Sequence, residues 1–169
     1  MLQQLQTQTE LADEPFFLPS FFEGETTAWG FFEDPFGRVK RAFTARINGS
    51  WDDGEFLLDE HFRFDDGALD HRVWRLSFDQ DGSTFSARCA DSVGPGRGHH
   101  VEGGCYLTYL VRLAVGDRKV VVRFRDLFHQ VDADTLLNRA KVTKWGLPVG
   151  QLVIAFQRST ALGETARDD

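Results

Sequence analysis

Cysteine is scarce in this sequence, which has only Cys89 and Cys105. Two thiols cannot form a disulfide framework, and their spacing does not suit a metal site. They flank a glycine-rich stretch with matching parity and read as reduced core residues. Long apolar runs are missing as well, so no segment is expected to span a bilayer. Basic residues are in deficit: 19 Lys and Arg against 26 Asp and Glu leave a net charge of −7. With no basic stripe to offset repulsion from phosphate, nucleic acid is excluded as a partner and an electrostatic membrane anchor is disfavoured. The opening MLQQLQTQTELADE lacks the basic and apolar regions of a secretory signal, so the chain reads as cytoplasmic. There is no hydrolase triad, phosphate-binding loop or metal motif, and neither a cofactor nor a metal is expected. His99 and His100, near Glu102 in the glycine-rich stretch, read as solvent-exposed, and His61, His71 and His129 as outward-facing.

Aromatics, by contrast, are abundant: 16 Phe and 4 Trp beside a single Met suit broad strand surfaces better than helix bundles. The stretch from Glu55 to Phe78 shows how they are used. Phe56, Leu58, Phe62 and Phe64 alternate with Leu57, Asp59, His61 and Arg63, and after the turn signal Asp65-Asp66-Gly67 the residues Trp74, Leu76 and Phe78 share one face. This is a β-hairpin with one charge on the apolar face of each arm, Glu60 and Arg72. A three-residue loop sets those two directly opposite; a shift of one residue leaves them diagonal neighbours.

The rest of the chain follows the same period. Residues 1–15 form a polar, flexible lead-in, residues 16–159 one domain, and residues 160–169 a charged, disordered tail. The segment PFFLPSFF plugs or seals an end, and Asp34-Pro35-Phe36-Gly37 turns the first strand into the second, Arg38 to Asn48. STFSARCAD is a fifth strand with Phe85, Ala87, Cys89 and Asp91 on one side. Ser92 to Gly104, with five glycines and a proline, reads as a long loop that interrupts the ladder and covers a mouth or simply crosses it. Four further strands follow, with Val120, Val122, Phe124 and Asp126 on one parity and Asn138, Ala140, Val142 and Lys144 on another; the last hairpin turns at Gly146-Leu147-Pro148. About nine tandem strands joined by tight turns predict an all-β, antiparallel up-and-down barrel of about 8–10 strands, since closure removes exposed edges. Such a barrel is filled by side chains or holds one small ligand.

Glu60, Arg72, Asp91, Asp126, Asn138 and Lys144 fall on apolar faces. They read either as a mutually satisfied network that sets strand register, or as the polar end of a cavity that orients a guest, or, where a bulge inverts parity, as outward-facing. Glu60 and Asp126 are the candidate catalytic acids, because burial raises a carboxyl pKa toward that task while Arg72 opposes it.

The order FFEGETTAWGFFEDPFGRVKRAF, EHFRFDDG followed by RVWRL, ADSVG and then NRAKVTKWGLPVGQL resembles a family of bacterial proteins catalogued as domain of unknown function 3833, from Leu18 to Arg158. The resemblance implies a lipocalin-like β-barrel, often carried as a lipoprotein and in some bacteria encoded near lipid-modifying enzymes; it implies no activity. It carries over Trp29, Gly30, Glu60, Asp66, Gly67, Arg72, Trp74, Asp91, Gly94, Asp126, Asn138, Arg139, Lys144 and Gly146. The chain departs from the pattern in lacking the lipoprotein signal, in Arg125 and Leu127 beside Asp126, and in Gly104 and Cys105.

Pattern and resemblance together nominate Trp29, Phe56, Glu60, Phe62, Arg72, Trp74, Asp91, Tyr109, Phe124, Asp126, Asn138 and Lys144 as ligand-facing. The expected partner is a small hydrophobic molecule such as an acyl chain or isoprenoid, with Arg72 or Lys144 toward a polar head; homodimer formation is left open. A second reading is a cofactor-free cyclase, isomerase or hydratase acting on a polyene. A third is an interaction module with a filled barrel.

Overall fold

The computed structural model describes residues 15–159. A five-residue helix, α1 (Leu18–Phe22), leads into ten antiparallel strands: β1 (Gly24–Glu33), β2 (Val39–Asp52), β3 (Glu55–Phe64), β4 (Leu69–Phe78), β5 (Thr84–Arg88), β6 (Gly96–Val101), β7 (Gly104–Val115), β8 (Arg118–Gln130), β9 (Thr135–Lys144) and β10 (Leu147–Arg158). Each strand pairs with its sequence neighbours, and β1 pairs with β10 from Thr26 opposite Arg158 to Glu33 opposite Gln151. The result is a closed, up-and-down, lipocalin-like barrel. Side chains alternate across its wall: Val122, Phe124, Asp126 and Phe128 of β8 are buried while Arg123, Arg125 and His129 are exposed. An apolar inside and a charged outside invert the pattern of a barrel that faces lipid. Among the described residues, no helix is long and apolar enough to cross a membrane.

The central hairpin takes the three-residue loop. Phe64 donates its N–H to the Ala68 carbonyl at 2.9 Å, so Glu60 lies directly opposite Arg72. The stretch from Ser92 to Gly104 is not a loop, however, and the ladder runs through it as β6. Glycine keeps both backbone hydrogen-bonding groups, so a ladder survives it when neighbours supply the missing bulk. They do so here. A Cβ on Gly98 would lie 2.2 Å from the Phe85 ring and one on Gly96 2.8 Å from the Tyr109 Cβ, so the Phe85 ring lies over Gly98 and the Tyr109 side chain leaves its backbone close against Gly96. The fifth strand accordingly ends at Arg88, three residues short of Asp91. Two turns are also tighter than the pattern suggests: β2 runs on through Trp51 to Asp52, and β9 turns into β10 at Trp145-Gly146, leaving Leu147 and Pro148 inside β10.

Helix α1 stops one end of the barrel. Pro19 occupies its first turn, where a missing N–H costs nothing. Phe21 and Phe22 pack edge to face, and Phe22 meets Phe156 of β10 at 5.1 Å. Gly49 of β2 lies so near the Phe22 carbonyl that a Cβ there would be 1.9 Å from its oxygen. His100, expected to be solvent-exposed, is half-buried and holds the plug: its Nε2 accepts the Leu18 N–H at 3.2 Å, which leaves the proton on Nδ1 to be donated to the Gly82 carbonyl at 2.7 Å. The imidazole must be neutral to do both. Of the terminal segments expected from sequence, residues 1–14 and 160–169 lie outside the described residues.

Burial lowers the His100 pKa below its ordinary 6.5, with the Gly82 carbonyl opposing. A folded pKa below the unfolded one means full stabilisation above about pH 6.5 and its loss as pH falls through the folded value. His100→Gln is expected to cost about 1 kcal/mol near neutral pH and to flatten the acid side of the stability curve. Thermal melts of both proteins from about pH 5 to 8 check this, and parallel curves would show that His100 is not the plug's latch.

Candidate functional site

Ten strands enclose more space than eight, and here the inward positions do not all fill it. Ala28, Ala45, Ala87 and Ala140 point inward where larger residues would close the gap. What remains is a cavity of about 580 Å³ running from Leu18 and Phe22 of the plug to Val115, Lys144 and Val149 at the opposite end, where it opens to solvent. The third reading, a barrel filled by its own side chains, does not fit this interior.

Most of the lining is apolar, from Phe43, Phe62 and Phe64 on one side to Val122, Phe124 and Ile154 on the other. A belt of polar groups crosses it. Glu60 on β3 faces Arg72 and the Trp74 indole on β4; Trp74 packs edge-on against Tyr109 of β7 at 4.9 Å, and Tyr109 stacks on Phe124 at 5.1 Å. The Tyr109 hydroxyl donates to Asp126 Oδ2 at 3.4 Å, while Asp126 Oδ1 is buried and has no hydrogen-bond partner among the described residues. Glu60 is half-buried and lines the cavity. Burial raises Glu60 to about 7, opposed by Arg72 and Trp74, and raises Asp126 to about 8, opposed by the Tyr109 hydroxyl and reinforced by Glu60. Burial and the nearby Asp126 also push the Tyr109 phenol up. At neutral pH Trp74, Tyr109 and Asp126 are mostly neutral donors, while Glu60 sits near its midpoint opposite Arg72.

The family described as Protein of unknown function (DUF3833) matches residues 3–158, starting further upstream than the resemblance read from Leu18. The chain belongs to that family. No curated protein matches it. Among solved structures, the S-type phycobiliprotein lyase CPES from Guillardia theta aligns over 91% of this chain and 98% of that one, with a TM-score of 0.67 and 9% identity. The likeness is one of fold.

Of the twelve residues nominated in this DUF3833 member, Glu60, Phe62, Arg72, Trp74, Tyr109, Phe124, Asp126, Asn138 and Lys144 line the cavity. Three do not. Trp29 is on the outer face, because Ala28 and Gly30 hold the inward parity of β1. Phe56 is fully buried but packs below the cavity, against Trp51. Asp91 is exposed beyond the end of β5, where its carbonyl accepts the Arg112 N–H. Arg41 was missed, although it shares parity with Phe43, Ala45 and Ile47. It lines the mouth over the Phe64 ring, 3.5 Å from its centroid, and its Nε is buried without a partner. Both cysteines are free, Cys105 buried and Cys89 half-buried.

Outside the barrel, Asp59 and the cross-strand pair His61 and His71 converge, with donor atoms within 4.8 Å of one another. The two rings stack at 4.2 Å and both Nε2 atoms approach Asp59 Oδ1, at 3.1 and 2.6 Å. Among the described residues this is the group able to hold a metal ion; pairing register, not sequence spacing, assembles it.

Asp126 has an ordinary value of 3.8 and a folded one of about 8, so its stabilising contribution is complete below 3.8 and lost as pH rises through about 8. Asp126→Asn keeps a neutral side chain at all pH. Its melting temperature relative to the parent is expected to rise between about pH 5 and pH 9. A difference independent of pH would mean that Asp126 is ionised throughout.

Proposed function

We propose that this barrel binds a hydrophobic small molecule, an acyl chain, isoprenoid or similar lipid, in its interior. One observation carries the reading: an apolar cavity of about 580 Å³, within the range of small-molecule sites, crossed by a few polar groups, Glu60, Arg72, Tyr109 and Asp126. A few placed polar groups in an otherwise apolar wall are what orient a bound molecule. The tail lies against the plug and the head at the mouth, where Arg41, Arg72 and Lys144 offer positive charge to a carboxylate. That a barrel of this fold serves as a phycobiliprotein lyase supports treating the interior as a working space. We place the binder in the cytoplasm on the sequence reading, where Cys89 and Cys105 stay reduced.

A second reading, a cofactor-free cyclase, isomerase or hydratase, draws on the same belt. Glu60 and Asp126, raised to about 7 and about 8, are carboxylic acids able to donate a proton inside a shaped, mostly apolar cavity. Turnover of a polyene that drops in Glu60→Gln and Asp126→Asn would favour this reading; binding unaccompanied by turnover favours the first.

Ten buried methylenes at about 0.8 kcal/mol each give roughly 8 kcal/mol before ordering costs, which puts a long-chain fatty acid in the micromolar range or weaker. Native mass spectrometry of protein purified without organic extraction is expected to show a bound species, and a fatty-acid titration to saturate at one site. Ala140→Phe, which fills the cavity, is expected to weaken binding by at least about tenfold with the fold intact. Arg72→Gln is expected to weaken a fatty acid more than the matching fatty alcohol. No bound species and no saturation would end the proposal.

A further inference from the structure

Large hydrophobic side chains are exposed very unevenly on this barrel. The six most exposed are Trp145 at 89%, Phe36 at 82%, Leu69 at 73%, Leu147 at 67%, Val115 at 60% and Val39 at 57%. All six sit on or beside the β1–β2, β3–β4, β7–β8 and β9–β10 turns, which is the open end of the cavity and the end away from α1. Solvent-exposed apolar groups are ordinary when scattered, but their confinement to the rim of one opening is not.

The backbone holds the most prominent one out. Trp145 has a φ of 51° and Gly146 one of 79°, the left-handed pair of a two-residue hairpin turn. Asn, Asp or Gly is the usual first residue there, and a bulky aromatic in that region is an outlier. Trp145 pays for it with no packing in return, since almost all of its surface is bare. Each protruding aromatic also carries a cation: the Lys144 Nζ lies 4.3 Å from the Trp145 ring centroid, and the Arg38 guanidinium 5.5 Å from that of Phe36.

Charge at this end departs from the net −7 of the chain. Asp34 is paired with Lys40 at 3.3 Å, Asp66 with Arg41 at 3.1 Å and Asp70 with Arg72 at 3.8 Å, and Glu33 accepts from Gln151. Among the described residues Arg38, Arg112, Arg118, Lys119 and Lys144 have no carboxylate partner, against Glu33, Asp65, Asp91 and Asp117 as acids without a cation, so this end is close to charge balance with a slight basic excess. Aromatic tips with cations beside them match the interfacial layer of a bilayer, where rings sit at headgroup depth and ammonium or guanidinium groups meet phosphate.

We infer that the mouth is a docking surface for a phospholipid bilayer that contains anionic lipid, with Phe36, Leu69, Val115, Trp145 and Leu147 entering the headgroup layer. The inference rests on the proposed binding of a hydrophobic chain, and it gives that chain a route: with the rim seated in the bilayer, the chain passes from lipid to cavity without crossing water. Separate tips around a hole suit a fluid surface that closes over each of them. A rigid protein partner would have to bridge the opening.

The test uses the full chain and sedimentation with vesicles of phosphatidylcholine, with and without phosphatidylglycerol. Binding is expected, stronger with phosphatidylglycerol, with quenching of Trp145 fluorescence by brominated acyl chains that Trp145→Phe removes. The triple variant Phe36→Ser, Trp145→Asn, Leu147→Ser changes only exposed side chains and is expected to lose at least about tenfold in vesicle affinity. The control Val131→Ser, Leu137→Ser, away from the mouth, is expected to lose none. Failure of the unaltered protein to bind either vesicle overturns the inference, as does an equal loss in the control. Fatty-acid titration of the same proteins separates the two readings. Uptake from solution without vesicle binding overturns docking alone; vesicle binding without uptake leaves docking standing and removes the cavity reading.

Discussion

Pairing of β1 with β10 removes both edges of the sheet at once, and with them the freedom of any strand to slide. Once the ring is closed, each residue's parity sends its side chain inside or outside, and ten strands set an interior too wide for alanine-rich positions to fill. The cavity is therefore a consequence of closure together with small residues at chosen inward positions. It is not the product of a special loop or lid.

Burial then decides the chemistry of the few polar groups inside. Moving Glu60 and Asp126 out of water raises both carboxyls, and only Arg72, the Trp74 indole and the Tyr109 hydroxyl oppose this. For Asp126 the balance falls on the neutral side because, among the described residues, no cation lies beside it and one of its oxygens has no partner; for Glu60 the Arg72 guanidinium brings it near even. Such a belt costs stability, because each of its polar groups has been taken out of water. Tyr109 depends in turn on Gly96, where a Cβ would press on the Tyr109 Cβ. A glycine in an apparent loop thus belongs to the site.

The two ends of the barrel are opposites. One is closed by a five-residue helix, held through Leu18 and His100 and packed with Phe21, Phe22 and Phe156. The other is open and carries the exposed aromatic and aliphatic tips with their cations. A molecule entering the cavity does so past the tips and stops at the plug, so the fold gives its interior a direction.

Alternation of period two and turn chemistry are local, and for that reason the amino-acid sequence by itself determined the strand class, the antiparallel order, the placing of Glu60 and Arg72 on one face of the central hairpin, and the shared parity of Asp126, Asn138 and Lys144 with their apolar neighbours, while the structure chose the three-residue loop that sets Glu60 opposite Arg72. Even the sealing role of the Phe-rich lead segment could be read there. Where parity was not followed along the whole strand, the reading failed: Arg41 was passed over, and Trp29 was placed inside on resemblance against its neighbours Ala28 and Gly30. Tertiary structure alone decided what depends on partners far away in the chain. Gly96 and Gly98 form a strand only because Phe85 and Tyr109 cover them, His100 is buried only because α1 lies on it, and Asp91 faces water because β5 ends before reaching it. The cavity belongs to this second class. Its volume is the difference between the width of a closed ring and the sum of side chains from ten strands, and that difference exists only after the ring has closed.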